Sequence, residues 1–277
     1  MNDSDNMKDR IKAYLKEDIG TEDITTNAIV PGDHVSKARI IAKEDGVIAG
    51  NVFAAGVFME LDDRFSYEEV AYDGKYVKKG DVIAIVQGKT RAILTGERVA
   101  LNILQRLSGI ATLTKRFVDA IGNTGTKILD TRKTSPGHRI AEKYAVKMGG
   151  GDNHRIDLSV MALIKENHIA VAGSIKQAVK KVRAYSKVPV EVEVKNMEEL
   201  KQALDEDIDR ILLDNWDTKS TREAVLYVNK RIPLESSGNM TLERVAEVAK
   251  TGVDFISIGA LTHSFKSLDI SLLHEGV

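Results

Sequence analysis

Between Lys127 and Ile169 the sequence carries Arg132, Lys133, His138, Arg139, His154, Arg155, Lys165 and His168, in a 277-residue chain whose formal net charge is only −1. Positive charge this concentrated within a balanced chain points to a pocket rather than a nucleic-acid-binding stripe. Guanidinium groups grip carboxylates and phosphates through paired N–H bonds, so a multiply anionic small molecule is the natural ligand. The first cations follow the apolar run Ile128–Leu129, and Lys165 follows Met161–Ile164. A rigid scaffold would therefore hold them at strand ends.

Other strand-like runs end in polar groups as well. Asp130-Thr131-Arg132-Lys133-Thr134 and Lys165-Glu166-Asn167-His168 are followed by Glu191, Glu193 and Lys195, whose spacing of two puts them on one side of a strand. Asp214-Asn215, Ser236-Ser237-Gly238-Asn239 and Gly259-Ala260-Leu261 complete the series. The last two loops, with Ser257 just before the second, are small enough to bring backbone N–H groups against a phosphate. Glu193 and Asp214 offer oxygen ligands for Mg²⁺, directly or through water. Bland readings stand beside these. A single charged residue at a strand end is ordinarily solvated or ion-paired. Glu191, Glu193 and Lys195 also fit a structural ion network, Glu191 above all, and the small-residue loops also fit tight turns. Gly149-Gly150-Gly151 reads as a hinge ahead of Asp152-Asn153-His154-Arg155. HExxH, a P-loop and a GxGxxG following a strand are all absent.

The elements that must position these groups alternate. Strand-like runs at Lys127–Asp130, Met161–Ile164, Val190–Val194, Arg210–Leu213, Pro233–Glu235 and Phe255–Ile258 are separated by helical stretches such as Ser174–Ala184, Met197–Asp205, Thr218–Lys230 and Thr241–Lys250. Alternating βα units predict a parallel sheet with right-handed crossovers. A closed eightfold barrel takes ~250 residues, and too little chain remains, so the expectation is an incomplete (open) α/β barrel of six to seven strands. A doubly wound open sheet is the rival. The N-terminal part has a different texture. A helix carries Ile11, Tyr14 and Leu15 on one face, strands are expected at Ser36–Ala42 and Val47–Ala49, and Tyr72–Val86 reads as a hairpin similar to the hammerhead of biotinyl and lipoyl modules. Glu97–Ser108 reads as a helix ending at Gly109, with a second over Thr112–Ile121. The domains expected are residues 1–109 and 110–265, with the tail 266–277 packing on the first.

The chain has no cysteine, which excludes disulfides, thiolate metal sites and a cysteine nucleophile. No apolar run reaches the ~18 residues that cross a bilayer, and the N-terminus is acidic and polar, unlike a secretory signal. A cytoplasmic location is expected.

Assembled, these motifs resemble the quinolinate phosphoribosyltransferase family. The resemblance runs through Glu17-Asp18-Ile19-Gly20, Asp23-Ile24-Thr25-Thr26, Glu97-Arg98, Leu101-Asn102, Thr131-Arg132-Lys133-Thr134, Gly149 to Arg155, Lys165-Glu166-Asn167-His168, Glu193-Val194, Leu213-Asp214-Asn215 and Glu235-Ser236-Ser237-Gly238. It implies an N-terminal α/β sandwich domain joined to an open α/β barrel. It also implies transfer of phosphoribose from phosphoribosyl pyrophosphate to quinolinate with Mg²⁺, giving nicotinate mononucleotide, pyrophosphate and CO₂ in NAD biosynthesis. By the same resemblance Arg132, His154, Arg155 and Lys165 surround quinolinate, with Thr131 beside them. Lys133 reaches phosphoribosyl pyrophosphate, Glu193 and Asp214 serve the ribose and the metal, and Lys133, Lys165, Glu193 and Asp214 form the catalytic set. Ser236, Ser237, Gly238, Asn239, Ser257, Gly259 and Ala260 hold the 5′-phosphate, and Arg98 enters a neighbouring subunit's site in a homodimer or larger assembly. No nucleic acid or membrane partner is implied. Two other readings remain: a paralogue on the same fold, such as the molybdenum-transport-associated proteins, and a non-enzymatic phosphate-ligand sensor.

Overall fold

The computed structural model describes residues 3–275. The chain divides into two units, one holding the residues up to Leu113 with Lys147–Gly149 and the segment from Phe265, the other Thr114–Val146 with Gly150–Ser264.

The first unit contains α1 (Asp3–Ile19), α2 (Ile24–Ile29), β1 (Val35–Ala42), β2 (Gly46–Val47), α3 (Asn51–Leu61), β3 (Ser66–Glu69), β4 (Tyr76–Val77), β5 (Val82–Lys89) and the start of α4 (Thr90–Ile121). The strand Ile270–Glu275, β1, β5 and β3 form an antiparallel sheet in that order. Ile40, Phe58, Ile83, Ile93 and Leu104 are fully buried at its centre, and Ile11 and Leu15 dock α1 onto the same core.

Two local expectations fail here for identifiable reasons. Helix α4 does not stop at Gly109. A Cβ on Gly109 would meet the Lys266 carbonyl oxygen at 2.3 Å and the Ser267 Cα at 2.9 Å. The glycine thus serves close approach of the returning chain, not helix termination. The hairpin over Tyr72–Val86 also does not form. The turn exists, with Gly80 at φ +96 and the Asp81 N–H bonded to the Lys78 carbonyl at 3.0 Å. Its two arms then part: β4 pairs with β2, and β5 pairs with β1 and β3.

The second unit is the barrel. After α4 come β6 (Lys127–Leu129), α5 (Arg139–Met148), β7 (Ala162–Ile164), α6 (Glu166–Ala172), α7 (Ile175–Tyr185), β8 (Val190–Val194), α8 (Met197–Leu204), β9 (Arg210–Asp214), α9 (Thr218–Val228), β10 (Leu234–Ser237), α10 (Leu242–Ala249), β11 (Phe255–Ser257) and α11 (Ala260–His263). Side chains of Ser174, Asn196, Asp217 and Thr241 accept N–H groups at the starts of α7 to α10, which is why those helices begin where they do. The strands are parallel in the order β6-β11-β10-β9-β8-β7. Strands β7 to β11 lie in chain order and β6 closes beside β11, leaving β6 and β7 as the two edges. A doubly wound sheet reverses direction at an internal switch point; this one does not. It is an open barrel of six strands.

Alternation along the strands sorts the side chains. Val190, Val192, Val194, Ile211 and Leu213 take one face, all buried. Glu191, Glu193, Arg210 and Asp214 take the other, with Glu191 opposite Arg210 and Glu193 opposite Leu212.

Candidate active site

The barrel unit holds its charges in two layers. The deep layer begins with Asp130, fully buried just after β6, ion-paired to the buried Lys143 of α5. Asp130 also accepts the Asn153 side-chain amide at 2.6 Å and the His154 backbone N–H at 2.8 Å. Lys143 donates onward to the His154 carbonyl at 2.9 Å. Burial pushes the Asp130 carboxyl up and the Lys143 ammonium down, and each partner's charge opposes the shift in the other. Deeper still, His154 Nε2 lies 3.0 Å from Glu191 and 3.4 Å from Glu235, both fully buried. Arg210 bonds the same Glu235 oxygen at 2.9 Å and stacks 4.1 Å from the Phe255 ring centre. Burial raises the Glu191 acid, and the neighbouring Glu235 charge raises it further.

The upper layer holds Arg132, Lys133, Arg155, Lys165, Glu193 and Asp214. Arg155 donates to the Met161 carbonyl at 2.8 Å. Burial pulls its guanidinium below the usual range, and the charge of Arg132 pulls it further. Two guanidinium groups that repel one another in a half-buried setting favour an anion between them. Lys165 donates to Glu193 at 2.5 Å, so an acid and a base meet at the ends of β7 and β8. Arg139 straps the intervening segments, donating to the Thr134 hydroxyl at 3.0 Å and the Ile156 carbonyl at 3.1 Å.

The small-residue loops are built for close approach. A Cβ on Gly238, at φ +99, would fall 2.0 Å from Asn215 Oδ1. Asn215 and Asn239 also take positive φ, and Asn239 donates to Asn215 at 3.3 Å. The Asn215 N–H bonds the Ser237 carbonyl at 2.9 Å, tying the loop after β9 to the end of β10. A Cβ on Gly259 would meet the Lys133 side chain at 3.0 Å. The Thr262 hydroxyl donates to the Lys133 carbonyl at 2.8 Å, which ties the loop after β6 to α11.

Most of the residues expected from the sequence gather at one end of this barrel, with three differences. The His154 ring turns inward and both its nitrogens have partners, since Nδ1 accepts the Arg155 N–H at 2.8 Å. The Ser236 side chain is fully buried, because it alternates with Glu235 and Ser237; only its backbone can serve the loop. Lys195 lies beyond β8 and pairs with Glu166 at 2.6 Å instead of joining Glu191 and Glu193. Thr131 accepts the Lys133 N–H at 3.0 Å and so shapes the loop after β6. Ser257, on β11, is buried beside Glu235. Arg98 is exposed on α4 within the first unit. The sequence reading gave no role to Lys143, Asn153, Arg210 or Glu235. The available signal was a charged residue inside an otherwise apolar strand, at Arg210 and Glu235.

Family models described as the N-terminal and C-terminal domains of quinolinate phosphoribosyl transferase match residues 23–108 and 110–273. The chain belongs to the quinolinate phosphoribosyltransferase family. It is 44% identical to a probable nicotinate-nucleotide pyrophosphorylase [carboxylating] of Bacillus subtilis, over 96% of this chain and 92% of that one. Quinolinate phosphoribosyltransferase [decarboxylating] 2b, mitochondrial, of Nicotiana tabacum is likewise 44% identical, over 96% and 81%. Among solved structures, NadC of Streptococcus pyogenes superposes with a TM-score of 0.94 at 39% identity, covering 99% of both chains. The nicotinate-nucleotide pyrophosphorylase of Francisella tularensis gives 0.95 at 41%, covering 99% and 98%. The family's open barrel with its separate antiparallel domain is the fold described above. No helix among the described residues is long and apolar enough to cross a membrane.

Proposed function

We infer that this protein is the decarboxylating quinolinate phosphoribosyltransferase of de novo NAD biosynthesis, a pentosyltransferase that makes nicotinate mononucleotide from quinolinate and phosphoribosyl pyrophosphate. The observations that carry the reading are Arg132 close enough to Arg155 to repel it and the Lys165–Glu193 contact at the ends of β7 and β8, within a chain that matches the family along both domains. Quinolinate carries adjacent carboxylates on a pyridine ring. Two guanidinium groups held against mutual repulsion supply planar donors for such a dianion.

In the reaction the pyridine nitrogen bonds to the anomeric carbon as that carbon's bond to pyrophosphate breaks. Positive charge grows on the sugar and negative charge on the leaving group. Glu193 and Asp214, on neighbouring strands and facing the same side, answer the first, Lys133 answers the second, and the small-residue loops hold the 5′-phosphate. The ring nitrogen is then cationic, so the adjacent carbon can keep the electron pair left when its carboxylate departs as CO₂; a proton from solvent replaces it. The protein's share in that step is orientation and exclusion of water, with no general base of high catalytic weight.

Mg²⁺ belongs to the same proposal. Glu193 and Asp214 fit it as a hard-oxygen pair at the strand ends, and waters and substrate phosphates would complete the shell. When bound, the ion neutralises charge on the departing pyrophosphate. His154, Glu191 and Glu235 also place ligand atoms within 4.8 Å of one another, but Arg210 already supplies their countercharge. We further propose a homodimer in which Arg98 reaches the partner subunit's site, and a cytoplasmic setting, with which the cysteine-free sequence is compatible. The functional test is direct: protein, quinolinate, phosphoribosyl pyrophosphate and Mg²⁺ should yield nicotinate mononucleotide, pyrophosphate and CO₂ in equal amounts. Failure to form nicotinate mononucleotide would refute the reading.

A further inference from the structure

The deep layer contains more charge than transfer chemistry at the strand ends requires. Glu191, Glu235 and Arg210 are carried by three adjacent strands, and His154 comes in from the segment after α5. Asp130 on the β6 side and Lys143 on α5 pin the His154 backbone from behind, by its N–H and its carbonyl. His154 is thus held at its backbone N–H, its carbonyl and both ring nitrogens.

The ring contacts impose a tautomer. Nδ1 accepts the N–H of Arg155, so the ring proton must sit on Nε2, aimed at the two carboxylates. A proton placed on Nδ1 would remove the acceptor that holds Arg155.

We propose that His154, Glu191, Glu235 and Arg210 form a buried hydrogen-bonded platform that positions Arg155, so that His154 serves the dicarboxylate site through its neighbour instead of by touching the substrate. Glu191 and Glu235 are positioning residues in this scheme, and they are the reason two acids lie buried inside the barrel.

This inference rests on the proposed phosphoribosyl transfer, and the experiment separates the two. Wild-type protein is first assayed for nicotinate mononucleotide; no product there refutes the functional reading itself. Given turnover, Glu191→Gln is tested next. A glutamine amide can donate as well as accept, so it no longer forces the proton onto Nε2. The platform predicts a rise of about tenfold or more in the quinolinate KM, as for loss of a charge-assisted bond, with the phosphoribosyl pyrophosphate KM changed less than about twofold. Unchanged kinetics overturn the proposal, and so does an equal rise in both KM values, which marks general structural loss. If the variant does not fold, the wild type still decides. Imidazole ¹⁵N NMR should find Nε2 protonated and Nδ1 bare with and without quinolinate. A ring that gains a proton on Nδ1, or loses the one on Nε2, when quinolinate binds is a direct substrate contact and overturns the platform.

Discussion

Replacing Lys143 by methionine isolates the pin beneath the site. The substitution preserves length and bulk but removes the ammonium paired with Asp130, on a carboxylate and a lysine whose side chains are 0% and 3% exposed. It also takes away the donor to the His154 carbonyl. Breaking such a buried pair costs about 3–5 kcal/mol. A second route gives a consistent figure. The stranded Asp130 can escape its charge by binding a proton that the unfolded chain, with an aspartate near 3.9, does not hold at pH 7. That costs about 4 kcal/mol at pH 7 and about 1.5 kcal/mol at pH 5. The sign follows: lowering the pH supplies the proton the folded variant needs, so the variant recovers relative to wild type as the pH falls. Urea unfolding followed through Trp216, the chain's single tryptophan and buried in the barrel unit, reads this out. A cost below about 1 kcal/mol, or one equal at pH 7 and pH 5, would refute the view that Asp130 is held ionised by Lys143.

Four further outcomes are expected. Arg132→Ala and Arg155→Ala should each raise the quinolinate KM by about 10- to 100-fold, with a much smaller effect on phosphoribosyl pyrophosphate, since each removes charged hydrogen bonds to a carboxylate. Equal effects on both substrates would remove them from the dicarboxylate subsite. Glu193→Gln and Asp214→Asn should lower kcat by about 100-fold with little change in quinolinate affinity, because their charge matters most when the sugar becomes cationic; steady-state kinetics at saturating Mg²⁺ decide. Gly238→Ala forces a Cβ to within 2.0 Å of Asn215 Oδ1 at φ +99, so binding of phosphoribosyl pyrophosphate should weaken while quinolinate binding, measured by calorimetry, holds. Mixing inactive Arg98→Ala and Lys165→Ala subunits should restore about a quarter of wild-type activity, since half the dimers then carry one intact site; no recovery after demonstrated exchange would contradict a shared site.

The alternation of strands and helices was legible because each barrel strand is short, apolar on one face and followed by a helix with its own capping side chain, as at Ser174, Asn196, Asp217 and Thr241. The upper layer of the site was legible for a related reason: barrel strands present their last residues at one end. The failures came from long-range contacts. Gly109 looks like a helix stop until Lys266, far along the chain, is known to press against it. The arms after the Lys78–Asp81 turn separate because each finds a different partner strand. The deep layer was the least visible. Nothing local in Lys143 or Arg210 announces a partner, and Asp130 and Glu235 lie 13 and 25 residues away in sequence. His154 was read as a ligand-facing cation because its inward turn depends on Glu191 and Glu235, which only the closed sheet brings together.

The proposed chemistry stands on Arg132, Arg155 and Lys165 converging on one doubly charged aromatic acid at the ends of the barrel strands. A crystal structure with quinolinate bound is the decisive test. The expected result is both carboxylates bonded by those three side chains, with the pyridine nitrogen turned toward the Glu193 and Asp214 carboxylates. Quinolinate bound elsewhere, or these cations facing solvent while it is bound, would contradict it.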